Sequence, residues 1–221
     1  MFRTLRPEHR RELLEQCVSF RAPADQVLVL DQEESKSLLV LRSGIAKVRS
    51  FTADGDDVTL SLLGPGDVFG EMALFFDGRR TADVVALTDC EAVRLRSEPF
   101  CRMVRTEAPL AFEVARLEAR RLVDFNQRFM LGNADSKTRL LGSLLDLALH
   151  SAVDAGPDSV IPHLPQRELA SLSGLARETA SRAMSKLRQR GTIVEVDGDG
   201  LRIADLEALR RRGLLAFAPR S

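Results

Sequence analysis

Two stretches of the chain carry side chains whose types and spacing could do chemistry. The first is Phe69-Gly70-Glu71-Met72-Ala73-Leu74, followed at short range by Arg79-Arg80-Thr81-Ala82. Gly70 allows a sharp backbone turn into a one-turn helix whose free N–H groups favour an anion. Arg80 offers a guanidinium fork shaped for phosphate, and Thr81 a hydroxyl donor. A carboxylate at Glu71 repels phosphate unless it accepts hydrogen bonds from a sugar hydroxyl, as acidic residues do in dinucleotide sites. Anion, hydroxyl and cation together specify a nucleotide rather than free phosphate. A surface Glu-Arg pair beside a tight turn is the plainer alternative for either fragment alone.

The second stretch is Leu164-Pro165-Gln166-Arg167-Glu168-Leu169-Ala170, then Ala176-Arg177-Glu178-Thr179-Ala180-Ser181-Arg182. Arg177, Glu178, Ser181 and Arg182 fall in the first turn and a half of a helix, where a recognition helix meets base edges. Arg can take guanine O6 and N7, and Glu can accept from cytosine N4, so the pattern suits a G·C-containing site. From Pro162 to Arg190 there are six basic and two acidic residues. The competing reading is a solvated helix with Glu178 and Arg182 paired at i, i+4.

These stretches need elements to hold them. Leu5 to Leu14 reads as a short amphipathic helix with Pro7 in its first turn. Short β-rich runs follow: Val27–Leu30, Leu38–Leu41, Ile45–Arg49, Val58–Leu63, Thr81–Ala86 and Glu91–Leu95, separated by Ser43-Gly44, Asp54-Gly55-Asp56, Gly64-Pro65-Gly66-Asp67 and Asp77-Gly78. That spacing predicts an all-β sandwich or roll. A helix is expected over 107–131, with Ala115, Leu122, Phe125 and Phe129 on one face, packed against its own β-domain or against the same helix of a second chain. Gly132-Asn133-Ala134 breaks it, and Asp135 or Ser136 can cap the next helix, Thr138 to His150. Gln166–Leu172 and Arg177–Gln189, joined through Ser173-Gly174-Leu175-Ala176, have the composition of a helix-turn-helix, and Ile193–Val196 with Leu201–Ile203 reads as a hairpin wing around Asp197 to Gly200. The divisions expected are 1–106, 107–134 and 135–221.

Composition narrows the classes of function. Lys plus Arg and Asp plus Glu each number 32 in 221 residues, so attraction to an anionic partner must come from clustering. Residues 1–108 hold 15 basic and 18 acidic side chains, and residues 109–221 hold 17 and 14, which favours the C-terminal half for nucleic acid. The three cysteines, Cys17, Cys90 and Cys101, are too few and too widely spaced for a disulfide framework or a zinc site, and the three histidines, His9, His150 and His163, lie away from the Gly70 segment. No apolar window of membrane length and no signal-like start is present, so a cytoplasmic protein without a membrane partner is expected. Without Trp or Tyr, single-strand binding by stacking is disfavoured. No nucleophile-base set accompanies Glu71 and Arg80, so an enzyme is not expected.

Leu39-Val-Leu-Arg-Ser-Gly44, Asp54-Gly55, the run Val58 to Leu74, Arg80-Thr81-Ala82, and Arg177-Glu178-Thr179 with Arg182 resemble the cyclic-AMP receptor protein and fumarate-nitrate regulator (CRP/FNR) family of bacterial transcription factors across nearly the whole chain. The resemblance implies an α+β fold: an N-terminal cyclic-nucleotide-binding β-roll of jelly-roll type, a long dimerisation helix and a C-terminal winged helix-turn-helix. It implies a phosphate-binding cassette at Phe69, Gly70, Glu71, Met72, Ala73, Arg80, Thr81 and Ala82, with Glu71 on the ribose 2′-hydroxyl and Arg80 and Thr81 on the cyclic phosphate. Val58 to Leu60 would line the purine, with Asp124 and Asn126 near it on the dimer helix. Gln166, Arg167, Arg177, Glu178, Thr179, Ser181, Arg182 and Lys186 would face DNA. A homodimer reading inverted TGTGA-like half-sites about 34 Å apart, and acting on RNA polymerase, follows from the family pattern.

The chain departs from that pattern in two places. Asp124-Phe125-Asn126 stands where many cyclic-AMP binders have Thr-Asn or Thr-Ser; Asn126 keeps the hydrogen-bonding capacity for an adenine amino group, and Phe125 does not. Cyclic AMP is the effector expected, with cyclic GMP, cyclic di-GMP and ligand-independent DNA binding as alternatives. Ala176 replaces the usual Ser or Thr before Arg177. An iron-sulfur sensor of this family needs four Cys ligands, and a haem sensor an axial His near the cassette; neither cofactor, and no metal, is expected. A scaffold acting through protein contacts is the rival of another class, and salt-sensitive DNA affinity would separate the two.

Overall fold

A computed structural model describes residues 5–15, 17–75, 78–196, 198 and 200–217. Asp77, Asp197 and Asp199, assigned above to turns, lie outside the described residues. Helix α1 (Pro7–Glu15) leads into eight strands: β1 (Val18–Ala22), β2 (Val27–Val29), β3 (Ser37–Ser43), β4 (Ala46–Phe51), β5 (Asp57–Leu63), β6 (Val68–Phe69), β7 (Asp83–Ala86) and β8 (Cys90–Arg96). They form two four-stranded antiparallel sheets, ordered β1-β8-β3-β6 and β2-β7-β4-β5. Strand alternation explains the β3 run: Leu39 and Leu41 enter the core between the sheets with Phe69, Val84 and Ala86, while Leu38 enters a second core with Phe100, Met103, Leu110 and Val114. Both faces of β3 are therefore buried, which is why its sequence reads as an unbroken apolar run.

Helices α2 (Ser97–Thr106) and α3 (Ala108–Leu131) pack on that second core. Leu110 and Val114 are the buried residues of α3, with Leu117 packed beside them. The expected stripe of Ala115, Leu122, Phe125 and Phe129 is instead exposed, so it does not pack on the chain's own β-domain. Asp135 caps α4 (Ser136–Leu149), accepting from the backbone N–H groups of Lys137 and Thr138. The C-terminal unit continues with α5 (Gln166–Ser173), α6 (Arg177–Gln189), the antiparallel hairpin β9 (Ile193–Val196) and β10 (Gly200–Ile203), and α7 (Leu206–Arg210).

The sheet-bearing and helical parts share a core. Ile45, Leu62 and Leu87 of the roll belong to one apolar cluster with Leu140, Leu141, Leu144 and Leu187. Where β4 pairs with β5 the register slips between Val48 and Arg49, with Thr59 opposite Arg49 and Ser61 opposite Val48, so Leu60 is the extra residue of a bulge. Around it Asp57, Thr59 and Leu62 line the boundary with the helical part, and Leu63 enters the core between the sheets. Lys47, on the boundary side of β4, is 3% exposed, and its ammonium meets Asp57 at 3.1 Å and Glu168 of α5 at 2.9 Å. Arg167 pairs with Asp25 at 2.7 Å across the same boundary.

Candidate nucleotide site and DNA-facing helix

The sharp turn after β6 is held by Gly70, whose φ of 81° belongs to the left-handed region and whose missing side chain makes room for Arg80: a Cβ there would overlap the guanidinium. Met72 to Leu74 then form a single 3-10 turn. Arg80 is 4% exposed, and its fork donates to the Gly70 carbonyl at 2.6 Å, the Ser37 carbonyl at 2.8 Å and the Ser35 hydroxyl at 2.9 Å. Burial lowers its pKa from the usual value, against the charges of Glu33 and Glu71; an Arg stays protonated through such a shift. Its Nε has no hydrogen-bond partner among the described residues.

Glu71, 2% exposed, is gripped from the long helix: Arg121 of α3 donates one Nη to Glu71 Oε1 and the other to the Val68 carbonyl. Glu118, one turn earlier on α3, approaches the same Arg121 nitrogen at 3.5 Å. Glu71 Oε2 has no partner among the described residues. Two guanidiniums thus converge on the four residues Val68 to Glu71, and the segment keeps one buried donor and one buried acceptor unused. A phosphate oxygen accepts and a sugar hydroxyl donates, so the pair fits the two ends of a ribose cyclic phosphate. Leaving such groups unpaired costs about 1 to 3 kcal/mol each.

The structure brings Phe69, Gly70, Glu71, Met72, Ala73, Arg80 and Ala82 together in or under this segment, with Phe69, Ala73 and Ala82 buried. Thr81 is adjacent and exposed, with its side chain open to solvent. Leu60 is half-buried at the bulge, and Val58 borders the gap between the roll and the C-terminal unit. Asp124 turns to the domain boundary, where burial and then the charge of Asp146 raise its pKa; Asn126 is exposed. Arg121, Glu118, Ser35 and Ser37 are site residues that spacing did not reveal. The Arg120-Arg121 pair inside an otherwise apolar-striped helix is the signal that could have drawn notice.

In the C-terminal unit, Gly174 turns the chain with φ 58° between α5 and α6, and Arg139 of α4 braces the turn by donating to the Ser173 carbonyl at 2.9 Å and to the Gly174 carbonyl. Ala180, Ala183, Met184 and Leu187 bury one face of α6. The other face shows Arg177, Glu178, Arg182 and Lys186, whose side chains form no hydrogen bond or ion pair among the described residues. The i, i+4 pair of Glu178 and Arg182 is not made. Gln166 and Arg167 are exposed at the start of α5, and Thr179 and Ser181 are half-buried. Ala176 gives α6 no side-chain cap.

A cavity of about 210 Å³ separates the two parts, lined among others by Asp57, Thr59, Leu62, Arg139, Asp146 and Ser171. Beside it His150, the residue that follows α4, contacts the Asp146 carboxylate at 3.1 Å and its carbonyl at 2.8 Å, and Arg128 of α3 pairs with Asp146. Burial alone would lower the His150 pKa, but the bond to Asp146 and its charge push it up to about 9. Among the described residues no three His, Cys, Asp or Glu side chains gather as a metal site, and no helix is long and apolar enough to cross a membrane.

Residues 19–107 match the cyclic nucleotide-binding domain family and residues 138–212 the Crp-like helix-turn-helix domain family. The cyclic AMP receptor protein of Thermus thermophilus is 34% identical over 77% of this chain and 77% of its own. The CRP-like cAMP-activated global transcriptional regulator of Mycobacterium tuberculosis is 28% identical over 96% of this chain and 95% of its own. The crystal structure of a CRP-family transcriptional regulator from Thermus thermophilus superposes with a TM-score of 0.68 at 26% identity, covering 87% of this chain and 95% of that one. A nucleotide-binding roll joined to a helix-turn-helix defines a transcription regulator that responds to a cyclic nucleotide. The chain belongs to the CRP/FNR family, with the α+β fold expected of it.

Proposed function

We propose that the chain is a homodimeric, sequence-specific DNA-binding regulator, not an enzyme, whose affinity for DNA is set by cyclic AMP in the roll. The observation that carries the ligand reading is the orphaned pair in the cassette, Arg80 Nε and Glu71 Oε2, which a cyclic phosphate and a ribose hydroxyl complete. Relatives named for cyclic AMP favour that nucleotide, and Asn126 is the residue of α3 suited to the base. Gly70, Glu71, Met72, Arg80 and Thr81 then form the cradle, with Val58 and Leu60 on the purine side. Residues 1–106 serve as sensor, 107–134 as dimer helix and hinge, and 135–221 as DNA-binding unit.

Dimerisation is supported by the exposed face of α3. Phe112, Ala115, Ala119, Leu122, Asn126 and Phe129 recur at alternating steps of three and four, with Phe112 68%, Leu122 61% and Phe129 69% exposed. That is a coiled-coil seam with one polar position, the kind that fixes register. Two α6 helices related by the dimer axis would present Arg177, Glu178, Arg182 and Lys186 to an inverted repeat of TGTGA type, with Gln166, Arg167, Thr179 and Ser181 at the flanks, and RNA polymerase as the cytoplasmic partner downstream. The nucleotide can shift DNA affinity only by binding one state of the dimer better than the other.

Calorimetric titration with cyclic AMP, against cyclic GMP and cyclic di-GMP as competitors, tests the reading. Micromolar cyclic AMP binding that Arg80→Leu abolishes is expected. Binding by another of the three reassigns the signal, and equal operator affinity with and without nucleotide refutes the switch.

A further inference from the structure

The cassette contains a charge that a phosphate site does not need. Arg80 and Arg121 bring two positive charges to the Val68–Glu71 segment, and Glu71 brings one negative charge that a sugar hydroxyl can use. Glu118 brings a second negative charge, 3.5 Å from the Arg121 guanidinium. With all four ionised the site is neutral, and an entering phosphodiester makes it an anion among groups largely shielded from water, Glu71 and Arg80 being almost fully buried. Removing one negative charge restores neutrality. Glu71 is fixed by Arg121 and almost fully buried, whereas the Glu118 side chain is 31% exposed and within reach of water. Glu118 is therefore the carboxylate that can exchange a proton as the ligand arrives.

Resting on the reading of the cassette as a cyclic-nucleotide site, we propose that Glu118 sets its affinity: ionised, Glu118 repels the nucleotide phosphate, and nucleotide binding takes up one proton onto Glu118. The charges that face it are Glu71 from the cassette loop and Arg121 from its own helix; Arg80 lies behind Gly70, flanked by Glu33 and Arg94. In the free protein, burial and then the charge of Glu71 already raise the Glu118 pKa against the pull of Arg121. A phosphate in the site raises it further. Gln at position 118 reproduces the protonated side chain, with an amide that can donate to Glu71.

The experiment is calorimetric titration of the full chain with cyclic AMP from pH 5.5 to 8.5, each pH in two buffers of different ionisation enthalpy. Wild type is expected to bind more tightly as pH falls, approaching tenfold per pH unit where a full proton is taken up, with a buffer-dependent heat. Glu118→Gln is expected to lose both the slope and the buffer dependence and to bind at pH 8 at least as tightly as wild type does at low pH. Were Glu118 only a brace for Arg121, Glu118→Gln would change affinity at every pH alike and leave the slope standing; that outcome overturns the proposal. So does pH-independent, buffer-independent binding by wild type, a result that requires no variant. Failure of both proteins to bind any of the three cyclic nucleotides across the range overturns the cassette reading itself, and the proposal with it.

Discussion

Replacing Lys47 by Met removes the ammonium that joins β4 of the roll to α5 of the DNA-facing unit. The side chain is 4% exposed and bridges Asp57 at 3.1 Å and Glu168 at 2.9 Å. Asp57 keeps Arg49 at 3.2 Å, but Glu168, 13% exposed, is left with Arg167 at 3.6 Å as its charged neighbour. Breaking a buried pair from one side costs about 3 to 5 kcal/mol, and the residual partners place Lys47→Met at the lower end, about 3 kcal/mol. For a chain of this size that is a fall in Tm of roughly 6 to 12 °C. Glu168→Leu, which leaves the buried Lys47 ammonium with Asp57 alone, should cost a similar amount. The double variant buries two apolar side chains in a boundary already lined by Ile45, Leu62 and Leu87, and should recover most of the loss. Urea or thermal unfolding of the four proteins closes the cycle. Single variants within about 0.5 kcal/mol of wild type, or a double variant whose loss equals the sum of the singles, would refute the assignment of this bridge as a desolvated inter-domain contact.

His150 gives the boundary a pH dependence. Its pKa is raised to about 9, so the contact with Asp146 contributes fully below the ordinary value near 6.5 and is lost as pH rises through 9; Tm should fall from pH 6.5 to 9.5 in wild type and hold flatter in His150→Gln. At the cassette, Gly70→Ala both demands φ 81° of a residue with a Cβ and pushes that Cβ into the Arg80 guanidinium. It should destabilise the roll by about 1 to 3 kcal/mol and abolish nucleotide binding, while equal binding in titration would show that Arg80 can be displaced at no cost.

How much of this was legible before the structure depended on where each partner lay along the chain. Strands such as Ser37–Ser43 and Asp57–Leu63, and the pair of helices around Gly174, carried periodicity and turn residues within a single window. Two-residue β6 is too short to show a period, and α2 begins Ser97-Glu98-Pro99, which reads as punctuation although Pro is compatible with a first turn. Arg121 stands fifty positions from Glu71, and nothing local marks it as that residue's partner. Lys47 was misleading in a different way: a Lys between Ala46 and Val48 looks like the wet face of a strand, and it is buried only because a separate part of the chain covers that face. The exposed face of α3 was read from four residues; Phe112, Ala119 and Asn126 give Ala115, Leu122 and Phe129 a regular three-four spacing, with Phe125 beside it, once Leu110 and Val114 are seen to take the opposite side.

The strand β4 sends Val48 into the core between the sheets of the roll and Lys47, its immediate neighbour, against α5 of the C-terminal unit. Sensor and effector are therefore not interchangeable cartridges. A C-terminal unit grafted from a relative onto this roll must bring a carboxylate to the place of Glu168 and an apolar surface to Ile45, Leu62 and Leu87. Any change on one side of this boundary must be matched on the other through the few residues of one shared wall.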